Sequence, residues 1–511
     1  MPCAIVASVL PRSTAELRAA AAAAARDGDA DLLELRADLA GDRFAEWLAL
    51  LPQLPLPVLV TIRARAHGGA FEGDERERAA RLAAAARVAA WIDVEAETPL
   101  ADELAGVAPF AALSPTDAPR ARPIVSLHAW DAPPVDLEAR ALALVARHPA
   151  AIVKLAIAAR DLADVERVVH LQRRLAAAGA RAACFALGEL GAPTRLLAGK
   201  LGAALVYGSI DGHAPTGPGQ PTLATLARLH RVREQEAATP VAAVLGDPIG
   251  HSLSPRLHSA LYRAAGLARC FVPLRAPELP AALSLCDALG IAAASVTLPH
   301  KEAAASLAVG AIAGEPWPPF AGSANTLLRR DAGWLAGNSD VAGFRAALAG
   351  GWPKGRAPPR RALLLGAGGV ARTALAALRN DGVAVTVAAR TFARAQALAA
   401  EFGATAVEWA ARGRVERELI VQATPLGMAP LEAETPLPIE QLSASDVVLE
   451  LIYRPRRTRL LREAEQRGAA TIEGAAMFVA QALQQHRWFT GHDGDLTVAQ
   501  AELAAALDAR E

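Results

Sequence analysis

Lysine is scarce in this chain of 511 residues. Among its 53 lysine and arginine residues, only Lys154, Lys200, Lys301 and Lys354 are lysine. Where positive charge alone is needed, the sequence uses arginine, which stays protonated and does not act as a nucleophile. Each retained lysine is therefore a candidate for amine chemistry.

Cysteine is also rare, and the four cysteines are spaced neither for a disulfide framework nor for a metal site. This pattern predicts a cytoplasmic protein without a bound metal. No apolar run approaches the length of a membrane span, and the N-terminus has no basic start and no cleavable apolar core. The 53 acidic residues balance the 53 basic ones, so nucleic acid and acidic membranes are not expected partners. We expect small-molecule substrates, and the oligomeric state stays open.

Short apolar runs alternate with helical stretches through the first 232 residues. Eight β/α units in this length predict a closed (β/α)8 TIM barrel, with an open doubly wound sheet as the weaker alternative. The predicted strands are Cys3–Leu10, Asp31–Asp38, Pro57–Ala64, Trp91–Glu97, Arg122–Trp130, Ala151–Ile157, Ala182–Gly188 and Ala204–Ile210.

Lys154 lies inside one of these strands, in the apolar run Ala-Ile-Val-Lys-Leu-Ala-Ile (151–157). Lysine is rarely buried unless it is paired. Desolvation favours the neutral amine, which can form a Schiff base with a ketone. The alternative is a lysine whose head reaches solvent at the end of the strand, and residue type alone does not decide between the two.

The chemistry of a TIM barrel lies at the C-terminal ends of its strands. The polar residues at these ends and in the loops after them are Glu34, Arg36, Arg63, Asp93, Glu95, His128, Lys154, Arg195, Thr216 and Gln220. Three arginines around one amine predict a substrate with a carboxylate and hydroxyls, and His128 suits a proton shuttle beside a lysine imine. Singly, these residues have plainer interpretations, since Glu34 and Arg36 could form an ion pair and a strand-end histidine is more often structural.

The motifs that carry these residues resemble type I 3-dehydroquinate dehydratase over residues 3–232. They are Glu-Leu-Arg-x-Asp, Thr-Ile-Arg, Ile-Asp-Val-Glu, Val-Ser-x-His, Ile-Val-Lys-Leu-Ala, Phe-Ala-x-Gly-Glu-Leu-Gly and Pro-Gly-Gln. The resemblance implies that Lys154 forms a Schiff base with the ring ketone, and that His128 removes the α-proton and helps to expel water. The residues that it implies for holding the carboxylate and hydroxyls are Glu34, Arg36, Arg63, Arg195, Thr216 and Gln220.

Three positions depart from this family's pattern. His67 stands where a glutamate that supports the catalytic histidine is usual, Leu187 replaces a methionine, and Thr216 replaces a serine. An imidazole titrates in a range where a carboxylate does not, so His67 would change the pH dependence of proton transfer. We hypothesise that His67 still partners His128 by a hydrogen bond.

A polar stretch that ends in a proline, residues 234–240, follows a predicted helix Thr222–Arg233 and indicates a linker. We expect the barrel over residues 1–233. A substrate-binding domain is expected over 241–345, completed by helices in 475–511, and a nucleotide-binding domain over 346–474. In the loop Gly-His-Ser-Leu-Ser-Pro (250–255), Ser254 can cap the next helix, whose N-terminus favours an anion.

An apolar strand, Ala362–Leu365, runs into Gly-Ala-Gly-Gly-Val-Ala (366–371) and then into a helical stretch. This is the Rossmann pattern, in which Gly366 makes the tight turn and Gly368 allows close approach of a pyrophosphate. After the next strand an NAD site places an acidic residue, but this chain has Arg390, which fits the 2′-phosphate of NADP. The candidate cofactor-binding residues are Gly366, Gly368, Gly369, Ala371, Arg390, Thr391 and Arg394.

Lys301 and Asp340 are an amine and a carboxylate that can relay a proton to a carbonyl during its reduction. The plainer interpretation of Lys301 is a surface lysine in the first turn of a helix. With Ser-Leu-Ser-Pro, Ser-Val-Thr-Leu-Pro-His-Lys, Ala-Asn-Thr, Asn-Ser-Asp and Phe-Val-Ala-Gln, these residues resemble shikimate dehydrogenase over residues 241–495. The resemblance implies catalysis by Lys301 and Asp340 and NADP binding at the glycine loop and Arg390. The residues that it implies for substrate binding are Ser252, Ser254, Thr297, Asn325, Tyr453 and Gln481.

The second half departs from its family's pattern at more positions than the first. Ser259, Ser295 and Gln422 stand where asparagine is usual, Glu450 replaces an aspartate, and Ala389 replaces an asparagine. Ser295 adjoins the substrate loop, so we expect a change in affinity rather than in reaction type. The intact Ser-Leu-Ser-Pro favours shikimate over quinate.

The two halves are thus predicted to perform consecutive steps, dehydration of 3-dehydroquinate and NADPH-dependent reduction of 3-dehydroshikimate to shikimate. Three alternatives stay open: a Schiff-base aldolase in the first half, a quinate or quinate/shikimate dehydrogenase in the second, and a half that binds ligands without turnover.

Overall fold

The structure of the protein is a computed structural model that describes residues 2–96, 98, 101, 121–316 and 322–508. The contacts divide the chain into two compact units. The first comprises Met1–Val241 with Ala268–Ile291, and the second comprises Ala242–Leu267 with Ala292–Glu511. Among the described residues, no helix combines the length and the apolar character that a membrane span requires.

Eight parallel strands form the core of the first unit, in the order β7-β6-β5-β4-β3-β2-β1-β8. They are β1 Ala4–Val9, β2 Leu32–Arg36, β3 Val58–Thr61, β4 Trp91–Glu95, β5 Arg122–Ala129, β6 Ile152–Ala158, β7 Ala182–Leu187 and β8 Leu205–Ser209. Nearly every strand residue is buried, because helices cover the outside of a parallel sheet while side chains fill the inside. This explains why the strands are apolar runs in the sequence.

The strand order places β7 and β8 at the two ends of the hydrogen-bonded series. The backbone N–H of Ala204 donates to the carbonyl of Ala182 at 2.8 Å, which joins these ends. The sheet is therefore a nearly closed barrel, as predicted, and the open-sheet alternative was wrong. One predicted strand extended to Glu97, which lies outside the described residues.

Helices separate most of the barrel strands. They are Thr14–Arg26, Phe44–Leu50, Glu75–Ala86, Leu137–Arg147, Leu162–Ala177 and Ala192–Leu196. Several have acidic or hydroxyl caps, such as Asp161, whose side chain accepts from the N–H of Asp164 at 2.9 Å. The segment Ala268–Ile291 adds strand β10 (Cys270–Arg275) and the helix Leu279–Leu289.

The predicted helix Thr222–Arg233 is not continuous. The structure has a π-helix at Thr225–Leu229 and a separate 3-10 helix at Val232–Glu234. Arg231 between them has φ 52°, a left-handed conformation that ends a right-handed helix. The sequence pattern missed this break because helical spacing of apolar residues continues across it.

The second unit holds two sheets. In its first sheet the strands neighbour one another in the order β9-β11-β13-β14-β12, where β13 runs antiparallel to β11 and β14. The strands are β9 Val241–Gly246, β11 Ile291–Val296, β12 Gly310–Ala311, β13 Thr326–Arg330 and β14 Gly333–Gly337. The helices that accompany this sheet along the chain are Ser254–Ala264, Lys301–Leu307 and Ser339–Gly351.

The other sheet is entirely parallel, in the order β17-β16-β15-β18-β19-β20. This is the Rossmann strand order, with the first βα turn at the centre of the sheet. The strands are β15 Arg361–Leu365, β16 Ala384–Ala388, β17 Thr405–Val407, β18 Leu419–Gln422, β19 Val447–Glu450 and β20 Ala470–Ile472. The helices are Gly369–Asn380, Phe392–Glu401, Arg459–Gln466, Gly474–Thr490 and Leu496–Asp508.

Candidate active sites

Lys154 is a buried lysine with a carboxylate partner. Its Nζ lies 2.9 Å from Oδ2 of Asp93 and 4.2 Å from the centroid of the Tyr207 ring. The lysine side chain is only 9% exposed, so its head does not extend into solvent. The interpretation of Lys154 as an amine held inside the barrel is therefore favoured.

Asp93 is shared between two cations. Its Oδ1 accepts from Arg63 at 3.0 Å and from the hydroxyl of Ser126 at 2.6 Å. Burial alone would raise the pKa of Asp93, but the charges of Arg63 and Lys154 outweigh it and hold that pKa well below its usual range. Asp93 is therefore ionised throughout the physiological pH range and anchors both cations.

Arg63 is largely neutralised by the protein itself. Besides Asp93 it approaches Glu95, with 3.5 Å between the guanidinium and the carboxylate. Arg63 still borders the cavity of the barrel, but its charge is already compensated by two carboxylates. It is therefore a weaker candidate than a free arginine for pairing with a substrate carboxylate.

Arg195 is in the opposite situation. It is buried, and it has no ion pair within the described residues; its guanidinium donates to the carbonyl of Pro218 at 3.4 Å and lies 5.6 Å from the centroid of the Phe185 ring. Burial lowers the pKa of Arg195 to about 10. A buried, uncompensated guanidinium on a cavity wall is suited to an anionic ligand.

His128 is set up as a neutral base. Burial, followed by the charges of Arg63 and Lys154, lowers the pKa of His128 well below the usual histidine value. Its ring stacks on Trp130 with 5.7 Å between centroids and 17° between planes. His67 borders the same cavity, and its charge also lowers the pKa of His128. In the described part of the chain no hydrogen bond joins the two histidines, so the hypothesised bond is not supported.

The other predicted barrel residues make internal bonds. Glu34 accepts from Ser8 and from Thr61, the latter at 2.8 Å. Arg36 pairs with Asp38 at 2.6 Å, so the Glu34–Arg36 ion pair considered from the sequence is wrong. All of the predicted catalytic and binding residues of the barrel line one open-mouthed cavity, namely Glu34, Arg36, Arg63, His128, Lys154, Arg195, Thr216 and Gln220.

In the second unit, Lys301 and Asp340 form a close pair with 2.5 Å between Nζ and Oδ2. The lysine side chain is 11% exposed and the aspartate 9%, so the interpretation of Lys301 as a plain surface lysine is wrong. The helix that begins at Lys301 brings this amine toward the glycine loop, since a Cβ added to Gly369 would lie 3.8 Å from the Lys301 Cδ.

Ser339 connects the Lys301–Asp340 pair to two predicted substrate-binding residues. Its hydroxyl accepts from Nδ2 of Asn325 at 2.9 Å and donates to Oε1 of Gln481 at 3.4 Å. Ser339 precedes Asp340 in the chain, and the carbonyl of Lys301 accepts from the N–H of Ala324 at 2.8 Å. The structure therefore places the Lys301–Asp340 pair, Asn325 and Gln481 close together.

The serine loop differs from its prediction. Ser254 is the first residue of its helix, and Leu253 occupies the N-cap position without a side-chain cap bond. The expectation that Ser254 caps the helix was therefore wrong, and its N–H instead donates to the hydroxyl of Ser252 at 3.3 Å. Within the described part of the chain the Ser254 hydroxyl has no hydrogen-bond partner, so it is available to a ligand.

Tyr453 lies beside this loop, since it packs against the apolar cluster that contains Leu253. Its ring lies against the ring of Phe478, with 4.5 Å between centroids and 32° between planes, and Phe478 is on the helix that also carries Gln481. Burial raises the pKa of Tyr453, which keeps the phenol protonated as a donor. Thr297 lies nearby in sequence to Lys301 and packs its methyl against Gly246.

The glycine loop has the geometry that a dinucleotide needs. Gly366 has φ +117°, and a Cβ there would meet the carbonyl oxygen of Ala423 at 2.6 Å, so only glycine fits. Gly368 is the N-cap of the 12-residue helix Gly369–Asn380 and has open space where its side chain would be. Ala371 is fully buried against the sheet. Free N–H groups at this helix N-terminus suit a phosphate.

Two exposed arginines flank the loop. Arg390 follows β16, and Arg394 donates to the carbonyl of Ala367 in the glycine loop at 3.4 Å. Thr391 between them is the N-cap of the helix Phe392–Glu401, with no side-chain cap bond. These residues fit a 2′-phosphate and include no carboxylate to accept from a ribose hydroxyl.

Two residues at these sites were missed. Tyr207 faces Lys154 across the barrel, and the only signal in the sequence was that it is one of three tyrosines. Gln485 hydrogen-bonds to the backbone of Asn325 at 3.2 Å. Its signal was its place four residues after Gln481, on the same side of a helix.

Three family models match successive parts of the chain: type I 3-dehydroquinase over residues 5–237, the shikimate dehydrogenase substrate binding domain over 244–312, and shikimate / quinate 5-dehydrogenase over 354–420. The chain is also 32% identical over 482 residues to the chloroplastic bifunctional 3-dehydroquinate dehydratase/shikimate dehydrogenase of Arabidopsis thaliana, covering 90% of this chain and 78% of that protein. The chain belongs to this bifunctional family.

Further relatives of this dehydratase/dehydrogenase match its second half alone. An NADP(+) shikimate dehydrogenase of Exiguobacterium sibiricum is 36% identical over 269 residues, 52% of this chain and 98% of that protein. A crystal structure of the Thermus thermophilus shikimate 5-dehydrogenase with NADP(H) and shikimate is 34% identical, covers 53% of this chain and 100% of its own, and has a TM-score of 0.48. The family models and the Arabidopsis relative show that the chain is a shikimate-pathway enzyme with a lyase half and an oxidoreductase half.

Proposed function

We propose that the barrel dehydrates 3-dehydroquinate to 3-dehydroshikimate through a Schiff base on Lys154, and that the second unit reduces this product to shikimate with NADPH. The observation that supports the first step best is a buried amine on the wall of a cavity that also holds a neutral histidine and an uncompensated arginine. The second step is supported by the Lys301–Asp340 pair beside the glycine loop.

In the barrel, Lys154 passes a proton from its ammonium group to His128, and the amine attacks the ring ketone. His128 returns that proton to the carbinolamine hydroxyl, which leaves as water and gives an iminium. His128 then removes the α-proton, and the electrons of the broken C–H bond move toward the iminium. His128 returns a proton to the leaving hydroxyl. Water finally hydrolyses the imine and frees the lysine. The net change is loss of one water molecule, so neither oxidant nor metal is required.

Arg195 takes the substrate carboxylate in this proposal, because it is the buried cation of the cavity without an ion pair among the described residues. Glu34, Arg36, Thr216 and Gln220 hold the hydroxyls, and Gln220 is already fixed by the N–H of Thr216 at 2.8 Å. Arg63 acts mainly through Asp93, which orients Lys154.

In the second unit, NADPH supplies a hydride when it is bound. Lys301 donates a proton to the carbonyl oxygen that is reduced, and Asp340 holds the ammonium group in place. Asn325 and Gln481 bind the hydroxyls of the substrate, while Ser252, Ser254, Thr297 and Tyr453 donate to its carboxylate and remaining oxygen atoms. This division follows from the hydroxyl donors around the serine loop and the amides around Ser339.

The cofactor residues proposed are the glycines of the loop, with Ala371 packing the helix against the sheet and Arg390, Thr391 and Arg394 taking the 2′-phosphate. The open space at Gly368 and the absence of an acidic residue after β16 support NADP over NAD. The intact serine loop supports shikimate over quinate as the product. We propose a cytoplasmic location, supported by four cysteines that are all buried and unpaired with one another.

To test this proposal, the purified protein is incubated with 3-dehydroquinate and NADPH, and the shikimate formed is measured. Lys154→Met should abolish shikimate formation from 3-dehydroquinate but not from added 3-dehydroshikimate. Lys301→Met should lose about 10²- to 10⁴-fold in the reduction alone, while Lys354→Met, at an exposed lysine, should match the unmodified protein. Quinate oxidation faster than shikimate oxidation would instead favour a quinate dehydrogenase.

A further inference from the structure

Gln485 is a fully buried amide with polar partners from several elements of the second unit. It lies on the helix Gly474–Thr490, one turn after Gln481, and is 1% exposed. Its Oε1 accepts from the hydroxyl of Ser295 at 2.7 Å. Its Nε2 donates to the carbonyl of Asn325 at 3.2 Å and to the hydroxyl of Thr326 at 3.0 Å.

These hydrogen bonds determine which group donates and which accepts at each of the next contacts. Because the Thr326 oxygen accepts from Gln485, its own hydrogen is free to donate, and it donates to Oδ1 of Asn325 at 2.8 Å. The same Oδ1 accepts from the backbone N–H of Ser339 at 2.8 Å. Both lone pairs of the Asn325 side-chain oxygen are therefore used inside the protein.

The Nδ2 group of Asn325 keeps one donor that the described part of the protein does not use. One of its hydrogens goes to the hydroxyl of Ser339 at 2.9 Å, and within the described residues the second hydrogen has no further partner. Asn325 can therefore offer a ligand one N–H donor and no acceptor. If Thr326 did not donate to Oδ1, the amide could turn over and present its oxygen instead.

We infer that Gln485 is a positioning residue that fixes the Asn325 amide, through Thr326, with its NH₂ group toward the substrate. This inference rests on the proposed role of Asn325 in substrate binding. The substrate feature that Asn325 then recognises is a hydrogen-bond acceptor, such as a hydroxyl oxygen held with its lone pair toward the amide. Ser295 stands where asparagine is usual, and its hydroxyl donates to Oε1 of Gln485. This bond orients the Gln485 amide so that its Nε2 donates to β13.

The experiment measures shikimate oxidation by the full-length enzyme carrying Gln485→Met, Thr326→Val or, as the matched control on the same helix, Gln484→Met. Gln485→Met and Thr326→Val should each raise the KM for shikimate about tenfold, leave the KM for NADP+ within about twofold, and leave the dehydratase activity of the same chain unchanged. Gln484→Met should change none of these. Thr326→Val keeps the volume of the side chain, so it serves if Gln485→Met does not fold.

A double-mutant cycle with Asn325→Ala separates positioning from general damage. In the Asn325→Ala background, Gln485→Met and Thr326→Val should raise the KM for shikimate by less than twofold, because the group that they position is gone. Equal effects in both backgrounds, or equal increases in the KM for shikimate and for NADP+, would overturn the inference. If Asn325→Ala itself leaves the KM for shikimate unchanged, the proposed role of Asn325 fails, and with it the inference. If Asn325→Ala raises that KM while the other two variants are silent, only the inference fails.

Discussion

Asp93 lies 2.9 Å from Lys154 and holds Arg63 through its other carboxylate oxygen at 3.0 Å. One buried anion thus anchors two cations that line the cavity. The Asp93 carboxylate fixes the orientation of the Lys154 amine. The ion pair with Arg63 neutralises part of the negative charge of Asp93. Removing the charge of Asp93 therefore affects both catalysis and stability.

Asp93→Asn should destabilise the protein by about 3–5 kcal/mol, because it leaves two buried cations without a counter-charge. It should also lower the dehydratase turnover, while the dehydrogenase activity is retained under conditions where the protein stays folded. Urea unfolding and separate assays of the two activities measure this. The control is Asp136→Asn, which breaks an exposed pair with Arg140 and should cost less than about 1 kcal/mol. Equal effects of the two substitutions would contradict the assigned role.

The dehydratase should keep its rate to unusually low pH. Burial and the charges of Arg63 and Lys154 lower the pKa of His128, and a base is active above its pKa, so kcat/KM should fall only well below pH 6.5. His67→Gln removes one positive neighbour at acid pH, which should move this fall to higher pH. A pH profile of the dehydration measures both effects. A fall centred at or above pH 6.5, or a profile unchanged by His67→Gln, would count against this account.

Glu450 should make the stability of the second unit depend on pH. Burial raises its pKa from 4.5 to about 8, although hydrogen bonds from Ile452 and Thr458 oppose the shift. The folded protein therefore keeps a proton that the unfolded chain releases. The stabilisation is complete below pH 4.5 and is lost as the pH rises through about 8.

Glu450→Gln should remove this dependence, since a neutral amide can bond to the same two partners. In urea, the unmodified protein should lose on the order of a few kcal/mol of unfolding free energy in its second unit between acidic and alkaline buffer, relative to Glu450→Gln. Glu440→Gln, at an exposed glutamate, is the control. Parallel pH curves for the unmodified protein and Glu450→Gln would contradict the prediction.

Arg390 should set the preference for NADP. Arg390→Ala should raise the KM for NADPH by about 10- to 100-fold, the value of a charge-assisted hydrogen bond, and leave the KM for NADH nearly unchanged. Steady-state reduction of 3-dehydroshikimate with each cofactor measures this ratio. Arg345→Ala, at an exposed arginine paired with Asp381, should leave the ratio unchanged. An equal increase in the KM for NADPH and in the KM for NADH would indicate a structural role for Arg390 instead.

The strands and the residues that line the sites were predictable from the sequence. The hydrogen-bond and ion-pair partners of those residues were not. The barrel strands are buried on both faces and appear as apolar runs, and their polar ends converge because the strands are parallel. The sequence does not show which ends become neighbours through hydrogen bonds. Arg63 was therefore expected to hold the substrate, although the structure pairs it with Asp93 and Glu95.

Residues that act through another residue were harder still to predict. Gln485 has the spacing of a buried helix position, four residues after Gln481, but its neighbours in the sequence do not show which residues it contacts. Its partners come from β11 and β13, more than 150 residues earlier. The prediction that Ser254 caps its helix was wrong for a local reason. The helix begins at Ser254 itself, one residue earlier than the capping rule predicts.

The most direct test of the account is borohydride reduction of the protein in the presence of 3-dehydroquinate, followed by mass spectrometry of its peptides. The account predicts a stable substrate adduct on the peptide that carries Lys154, which is absent from Lys154→Arg together with the dehydratase activity. An adduct on another residue, or full dehydratase turnover in Lys154→Arg, would contradict it.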